Sequence, residues 1–264
     1  MNLKTLTIQV IEIAKYAGKI IHDNIKNINS HNIETKGLND FVTDIDKLCE
    51  QEIVKRLEKL LPDSGFITEE GTSEKIGKEY NWIIDPLDGT TNFIHGFFPC
   101  AVSIGLKQND EIVLGVVYEV GLDESFYAWK NGGAWLNEKQ IRVSKKSELK
   151  TALLATGFPY HDFKPLDKYI DLLKYLTKNT QGIRRLGSAA TDMAYVACGR
   201  FDGFYEYNLK SYDVAAGIIL VNEAGGKICD FRGGNDYLFG KEIVASNAGI
   251  FSEFSSVVKK YMND

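Results

Sequence analysis

The apolar positions of this chain keep two rhythms. Leu6, Val10, Ile13, Ala14, Ala17 and Ile21 recur at helical spacing and predict an amphipathic opening helix. Leu48, Ile53, Leu57 and Leu60 carry a second helical stripe. Thr43 can cap that helix, with Asp44 and Asp46 in a first turn whose dipole favours acids. After the turn Pro62-Asp63-Ser64-Gly65, residues 66–68 read as a short strand, and Trp82, Ile83 and Ile84 as a buried one. Pro86 is expected to stop the latter, because proline gives a sheet ladder no N–H. Between 100 and 143, apolar runs at 102–106, 112–120 and 125–129 alternate with Asn-, Asp- and Gly-rich turns, which predicts an antiparallel meander.

The second half alternates strand and helix. Strands are expected at 152–156, 204–206, 227–230 and 243–246. Helices are expected at 166–176, after Gly187-Ser188-Ala189-Ala190 to about Cys198, at 213–222 and at 250–261. Such alternation argues for a layered α/β protein. The polar residues 144–149 mark a boundary between a 1–148 half and a 149–264 half. Residues 27–39, with Lys36, are polar and read as a loop or short strand. Residues 71–80 read as a loop able to cover a site.

Composition narrows the field. The 264 residues are 44% hydrophobic and 25% charged, enough for a large core. A net charge of −5 argues against bulk binding to nucleic acid or anionic membrane. No apolar run reaches membrane-spanning length, and the N-terminus lacks a signal-peptide pattern, so a cytoplasmic protein is expected. Cys49, Cys100, Cys198 and Cys229 lack metal-type spacing and read as buried free thiols. His22, His31, His95 and His161 are dispersed, and none is given a catalytic role.

Candidate chemistry concentrates in residues 82–93, WIIDPLDGTTNF. Asp85 and Asp88 sit three apart where a strand ends and a helix begins, with Asp88 near the cap position. Pro86 between them can turn the Leu87 carbonyl toward the same point, and three hard oxygens there suit Mg²⁺. Amides of Gly89, Thr90 and Thr91 at the helix start make a phosphate seat. For Asp-x-x-Asp-Gly alone, an acidic turn with an ordinary cap is the plainer reading; the longer string reverses that preference.

The run Asp85-Pro86-Leu87-Asp88-Gly89-Thr90-Thr91-Asn92-Phe93 resembles the signature of the inositol monophosphatase family, Mg²⁺-dependent and lithium-sensitive phosphatases. Ser211-Tyr212-Asp213-Val214-Ala215-Ala216-Gly217 is similar to a second family pattern, with Tyr in place of the usual Trp. The resemblance extends in order from the first helix to the last. It implies an alternating α-β-α-β-α sandwich of the inositol monophosphatase and fructose-1,6-bisphosphatase type. It also implies a homodimer and hydrolysis of myo-inositol monophosphate by a metal-activated water.

The same resemblance distributes roles. One Mg²⁺ falls to Glu69, Asp85 and the Leu87 carbonyl, a second to Asp85, Asp88 and Asp213, and a further weak one to Glu69. Thr90 and Glu69 orient and deprotonate the water, with Asp46 behind Thr90. Asp88, Gly89, Thr90, Thr91 and Asp213 also face substrate. Gly187, Ser188, Ala189 and Glu206 match the polyol contacts; a carboxylate can accept from two neighbouring hydroxyls. Arg184, ranked above Arg185, could meet a phosphate or an acid across a dimer interface. Lys210 stands where family branches differ.

Three rivals were open at this level. Aspartyl-phosphate phosphatases need Asp-x-Asp, one residue shorter than the spacing here. Fructose 1,6-bisphosphate, NADP or 3′-phosphoadenosine 5′-phosphate are cleaved by relatives; Gly187-Ser188-Ala189-Ala190 and Glu206 favour inositol phosphates over the nucleotide. A regulatory protein contacting transcription or ribosome factors is the reading from another class.

Overall fold

The computed structural model describes residues 1–26, 33–37, 40–160 and 162–263. His31, His161 and the portions 27–32 and 38–39 of the polar stretch lie outside the described residues. Helix α1 (Leu3–Asn24) opens under an Asn2 cap that accepts from the Thr5 amide at 3.1 Å. Strands β1 (Ile33–Gly37) and β2 (Asp40–Thr43) pair antiparallel before α2 (Asp44–Leu60). Then come β3 (Gly65–Thr68), β4 (Tyr80–Asp88) and the short α3 (Thr90–Ile94). The expected meander follows as β5 (Ala101–Gln108), β6 (Glu111–Glu119), β7 (Glu124–Trp129), β8 (Ala134–Leu136) and β9 (Lys139–Ile141). These strands form a seven-stranded sheet in sequence order, parallel only between β3 and β4.

The second half supplies β10 (Leu153–Thr156), α4 (Leu166–Asn179), β11 (Gly182–Arg184), α5 (Ala189–Ala197) and β12 (Gly203–Tyr207). It closes with α6 (Ser211–Glu223), β13 (Lys227–Cys229), β14 (Glu242–Ser246) and α7 (Phe251–Met262). Its five-stranded sheet has the order β11-β10-β12-β14-β13, with the first three strands parallel.

Period-two alternation sends each strand's residues into different layers. On β4, Trp82 and Ile84 face α1 and α2, whose Val10, Ala14, Ile53 and Leu57 complete that core. Ile83, between them, faces α5 and α6. Those two helices fill the space between the sheets, with Met193, Ala216 and Ile219 packed among Val117, Phe126, Phe204 and Ala245. On β12, Tyr205 points the other way, into a third core with Leu172 of α4 and Phe254 of α7. The result is the expected α-β-α-β-α sandwich. Cys49, Cys100 and Cys229 are buried free thiols, and Cys198 is half-buried. Among the described residues no helix is long and apolar enough to cross a membrane.

Two local expectations need correction. Pro86 does not stop β4, which runs on to Asp88. The pairing with β5 steps from Asp85 opposite Ser103 to Asp88 opposite Ala101, so three residues on one strand match two on the other. Pro86 and Leu87 sit in this bulge, where a missing ladder N–H costs nothing. Nor is Asp88 the helix cap. Gly89 holds that place with φ +97°, and a Cβ there would lie 2.9 Å from the Pro99 carbonyl oxygen. Left-handed backbone and crowding together leave room only for glycine.

The loop after β3 is fastened and does not hang as a free flap. Buried Glu50 of α2 accepts the amides of Glu70 and Thr72, both at 2.8 Å. The Phe66 amide bonds the Lys75 carbonyl at 2.8 Å, and Asn81 bonds Gly77 in both directions.

Candidate active site

Parallel strands deliver their C-terminal ends, and helices their N-terminal ends, to one cleft between the two sheets. Glu69 follows β3, and Asp85, Leu87 and Asp88 end β4. Gly157 and Phe158 follow β10, Arg185 follows β11, and Glu206 nears the end of β12. Ser188 caps α5 and Asp213 lies in the first turn of α6. All of these line the cleft, with Gly89, Thr90 and Thr91. Open α/β sheets place ligands at such strand ends.

The acids crowd one another. Burial, then the charges of Glu69, Asp88 and Asp213, push the Asp85 carboxyl well above the usual range. Burial pushes Asp88 up to about 6, against hydrogen bonds that favour its charge. Asp213 is raised by burial and then by Asp88, with Glu69 and Glu206 adding to it. Four acids from β3, β4 and α6 therefore share one electrostatic neighbourhood, although Asp213 stands far from the others in sequence.

Three of the four acids, Asp85, Asp88 and Asp213, are oriented by protein donors. Asp85 Oδ1 accepts the Leu87 amide at 3.0 Å. Asp88 Oδ2 accepts both the Ser188 hydroxyl and the Ala190 amide at 2.7 Å. Asp213 Oδ2 accepts the Lys210 amide at 2.6 Å. Among the described residues no three His, Cys, Asp or Glu side chains stand as a finished ligand cluster. The donor set nonetheless fits a hard divalent cation. It is all oxygen, with neither thiolate nor imidazole, and its buried like charges call for protons or a positive ion. Glu69, Asp85, Asp88, Asp213 and the Leu87 carbonyl could hold one.

Asp46 stands just behind. It is fully buried, and its Oδ2 accepts the Thr43 amide at 2.8 Å and the Thr43 hydroxyl at 2.5 Å, closing a capping box on α2. Its Oδ1 lies 3.0 Å from the Thr90 hydroxyl, which is also 3.0 Å from the Leu87 carbonyl. That hydroxyl has one proton and gives it to one of the two. Burial raises the Asp46 carboxyl, while Thr43 and Thr90 act against the rise.

The far wall is different. Burial pushes Glu206 up to about 8, with Arg185 lowering it and Asp88 raising it. Its carboxylate lies flush on Gly157, where a Cβ would come within 2.0 Å of Oε1. Arg185 donates to the Tyr160 hydroxyl at 2.8 Å. Both arginines are exposed, but Arg184 does not line the cleft and bonds the Ile183 carbonyl. Arg185, ranked lower from sequence, is the cleft arginine. Sequence reasoning also missed Phe41, Phe158, Tyr160 and Asp192, all lining residues. Only Asp192 left a signal: it follows Ser188 by four residues, on the same helix face.

The model of the inositol monophosphatase family matches residues 2–261. The Nus factor SuhB of Pseudomonas aeruginosa is 40% identical over 257 residues, covering 96% of this chain and 95% of that protein. The inositol-1-monophosphatase of Mesorhizobium japonicum is 38% identical over 252 residues, covering 95% of each chain. The crystal structure of the extragenic suppressor protein suhB from Bartonella henselae superposes with a TM-score of 0.92 at 39% identity, covering 97% of this chain and 99% of that one. With its fold, its ordered motifs and a match along nearly its full length, the chain belongs to the inositol monophosphatase family.

Proposed function

We propose that the chain is a Mg²⁺-dependent phosphomonoesterase acting on myo-inositol monophosphate. The observation that carries this reading is the convergence of four acids, Glu69, Asp85, Asp88 and Asp213, beside the start of α3. When bound at these acids and the Leu87 carbonyl, Mg²⁺ supplies charge neutralisation for the phosphate and a more acidic water.

The chain's own groups do the rest. Amides of Gly89, Thr90 and Thr91 in the first turn of α3, which lack intrahelical acceptors, receive phosphate oxygens. Thr90, backed by Asp46, orients the attacking water, and Glu69 takes its proton. Gly187, Ser188, Ala189 and Glu206 hold the departing polyol, whose oxygen takes a proton from solvent as its bond to phosphorus breaks, with Asp88 and Asp213 between the two ends. Lithium sensitivity and a homodimer accompany this reading through the family alone. Arg184, on the outer surface, is assigned to such an interface, not to the phosphate.

A phosphate-release screen over inositol phosphates, fructose 1,6-bisphosphate and NADP tests the substrate. Chelator is expected to abolish release, and Asp88→Asn to lower it by about two orders of magnitude or more. Near-normal turnover in that variant defeats the metal assignment. The relatives named Nus factors favour a second reading, contact with transcription proteins. Capture of such factors by the purified chain, with and without Asp88→Asn, separates that role from hydrolysis.

A further inference from the structure

The two ends of the proposed substrate meet protein from opposite halves of the chain. Gly89, Thr90 and Thr91 serve the phosphate from the first half, and Gly187, Ser188 and Ala189 serve the alcohol from the second. The interval between them needs a cause, and Asn92 stands at the seam. It lies in α3, is 3% exposed, and sits behind the residues that line the cleft. Its Nδ2 donates to the Pro99 carbonyl at 2.8 Å and to the Leu186 carbonyl at 2.9 Å. Only the nitrogen of a side-chain amide carries protons, so two carbonyl acceptors fix which way this one faces. Both protons are spent on backbone, one in each half of the chain.

Packing at the seam leaves no slack. A Cβ on Gly187 would lie 3.0 Å from Asn92 Oδ1, and one on Gly89 would lie 3.3 Å from the Gly187 carbonyl oxygen. Gly187 has φ +90°, so crowding and backbone both require glycine there. The start of the alcohol wall thus rests directly on the cap of α3. The two sides are not equally secured. The Thr90 hydroxyl is tied within its own half, 3.0 Å from both Asp46 Oδ1 and the Leu87 carbonyl. On the other side, Ser188 and Ala190 reach Asp88, but the Leu186 carbonyl has no donor other than Asn92 among the described residues.

We infer that Asn92 is a positioning residue that clamps Leu186 and Gly187 onto the cap of α3 and so sets the interval between the phosphate side and the alcohol wall. This rests on the phosphomonoesterase reading and adds the part that joins its two ends. Losing the clamp leaves a buried carbonyl without its donor and frees the near end of the wall, while Thr90 keeps the phosphate side in place. A misplacement of about 1 Å between two ends of a site can cost up to about a hundredfold in rate.

The test compares wild type with Asn92→Ala, in Mg²⁺, on myo-inositol 1-phosphate and on 4-nitrophenyl phosphate, whose ring has no hydroxyls for the wall. Inhibition by inorganic phosphate reports the phosphate side alone. In the variant, kcat/KM for the inositol ester is expected to fall about tenfold or more, chiefly through KM. The nitrophenyl ester and the phosphate inhibition constant should move by no more than about twofold. A loss of folded protein would lower both esters alike and leave their ratio unchanged. An unchanged ratio, or phosphate inhibition weakened as much as the inositol ester, overturns the inference. If Asn92→Ala does not fold, Asn92→Ser, whose hydroxyl is too short to hold both carbonyls, is judged by the same ratio. Should wild type fail to cleave the inositol ester, the phosphatase reading fails by itself. Calorimetric binding of myo-inositol 1-phosphate and of inorganic phosphate then decides the clamp. An ester about tenfold weaker in the variant with phosphate unchanged supports it; equal ester affinity, or no ester binding by either protein, sinks it.

Discussion

Asp46 does two jobs with its two oxygens. One closes the capping box with Thr43, and the other meets the Thr90 hydroxyl. The jobs can be separated. Thr43→Ala should cost about 1 kcal/mol of stability in an unfolding titration and leave turnover within a fewfold. Asp46→Asn should lower kcat by roughly a hundredfold or more with KM little changed. Equal kinetic effects from both would reduce Asp46 to a cap. Capping was legible from Thr43-x-x-Asp46 because it depends on local chain alone. The link to Thr90 crosses 44 residues and came only through resemblance. The sequence ranks Arg184 above Arg185, but the end of the short strand β11 decides which of them lines the cleft, and it is Arg185.

Elements position what residues supply. The bulge in β4 brings Asp85 and Asp88 to the sheet end together. The apolar run 82–84 before Pro86 predicts a strand with a stop, because a bulge is defined by the partner strand and not by the local sequence. Glu50 is the other positioning device. It holds the amides on either side of Gly71 and so fixes the chain just after Glu69. Glu50→Gln keeps the shape and weakens both bonds. Its expected signature is a Mg²⁺ requirement raised by about ten- to hundredfold with the maximal rate largely recovered at saturating Mg²⁺. A normal Mg²⁺ titration would leave Glu50 as a loop anchor only. Nothing in the sequence sets Glu50 apart from the other charges of α2.

At the scale of the molecule, the sandwich gathers acids at a cost that depends on pH. Glu206, ordinarily near 4.5, is pushed by burial up to about 8, and Asp88, ordinarily near 3.8, up to about 6. The folded chain therefore keeps protons that the unfolded chain releases. The part of its stability tied to these two groups is fully present below about pH 4 and declines as pH rises through 6 toward 8. In chelator, the unfolding midpoint should fall between pH 5 and 8, and Glu206→Gln should flatten that fall. Added Mg²⁺ should raise the midpoint most at the alkaline end, since cation and protons compete for the same oxygens. A flat profile in chelator would mean that the acids are solvated. The layer order was readable from rhythm and resemblance. The shared middle layer, where α5 and α6 serve both sheets, is a long-range product of packing that no local pattern records.

The bonds from Ser188 and Ala190 to Asp88 span about a hundred residues. As a ribosome extrudes the chain, Asp85 and Asp88 emerge long before α5 and α6 exist to receive them. A truncated product ending before Ser188 carries the signature but lacks both its steering donors and its fourth acid. On the proposed mechanism, turnover thus reports that synthesis has passed α6.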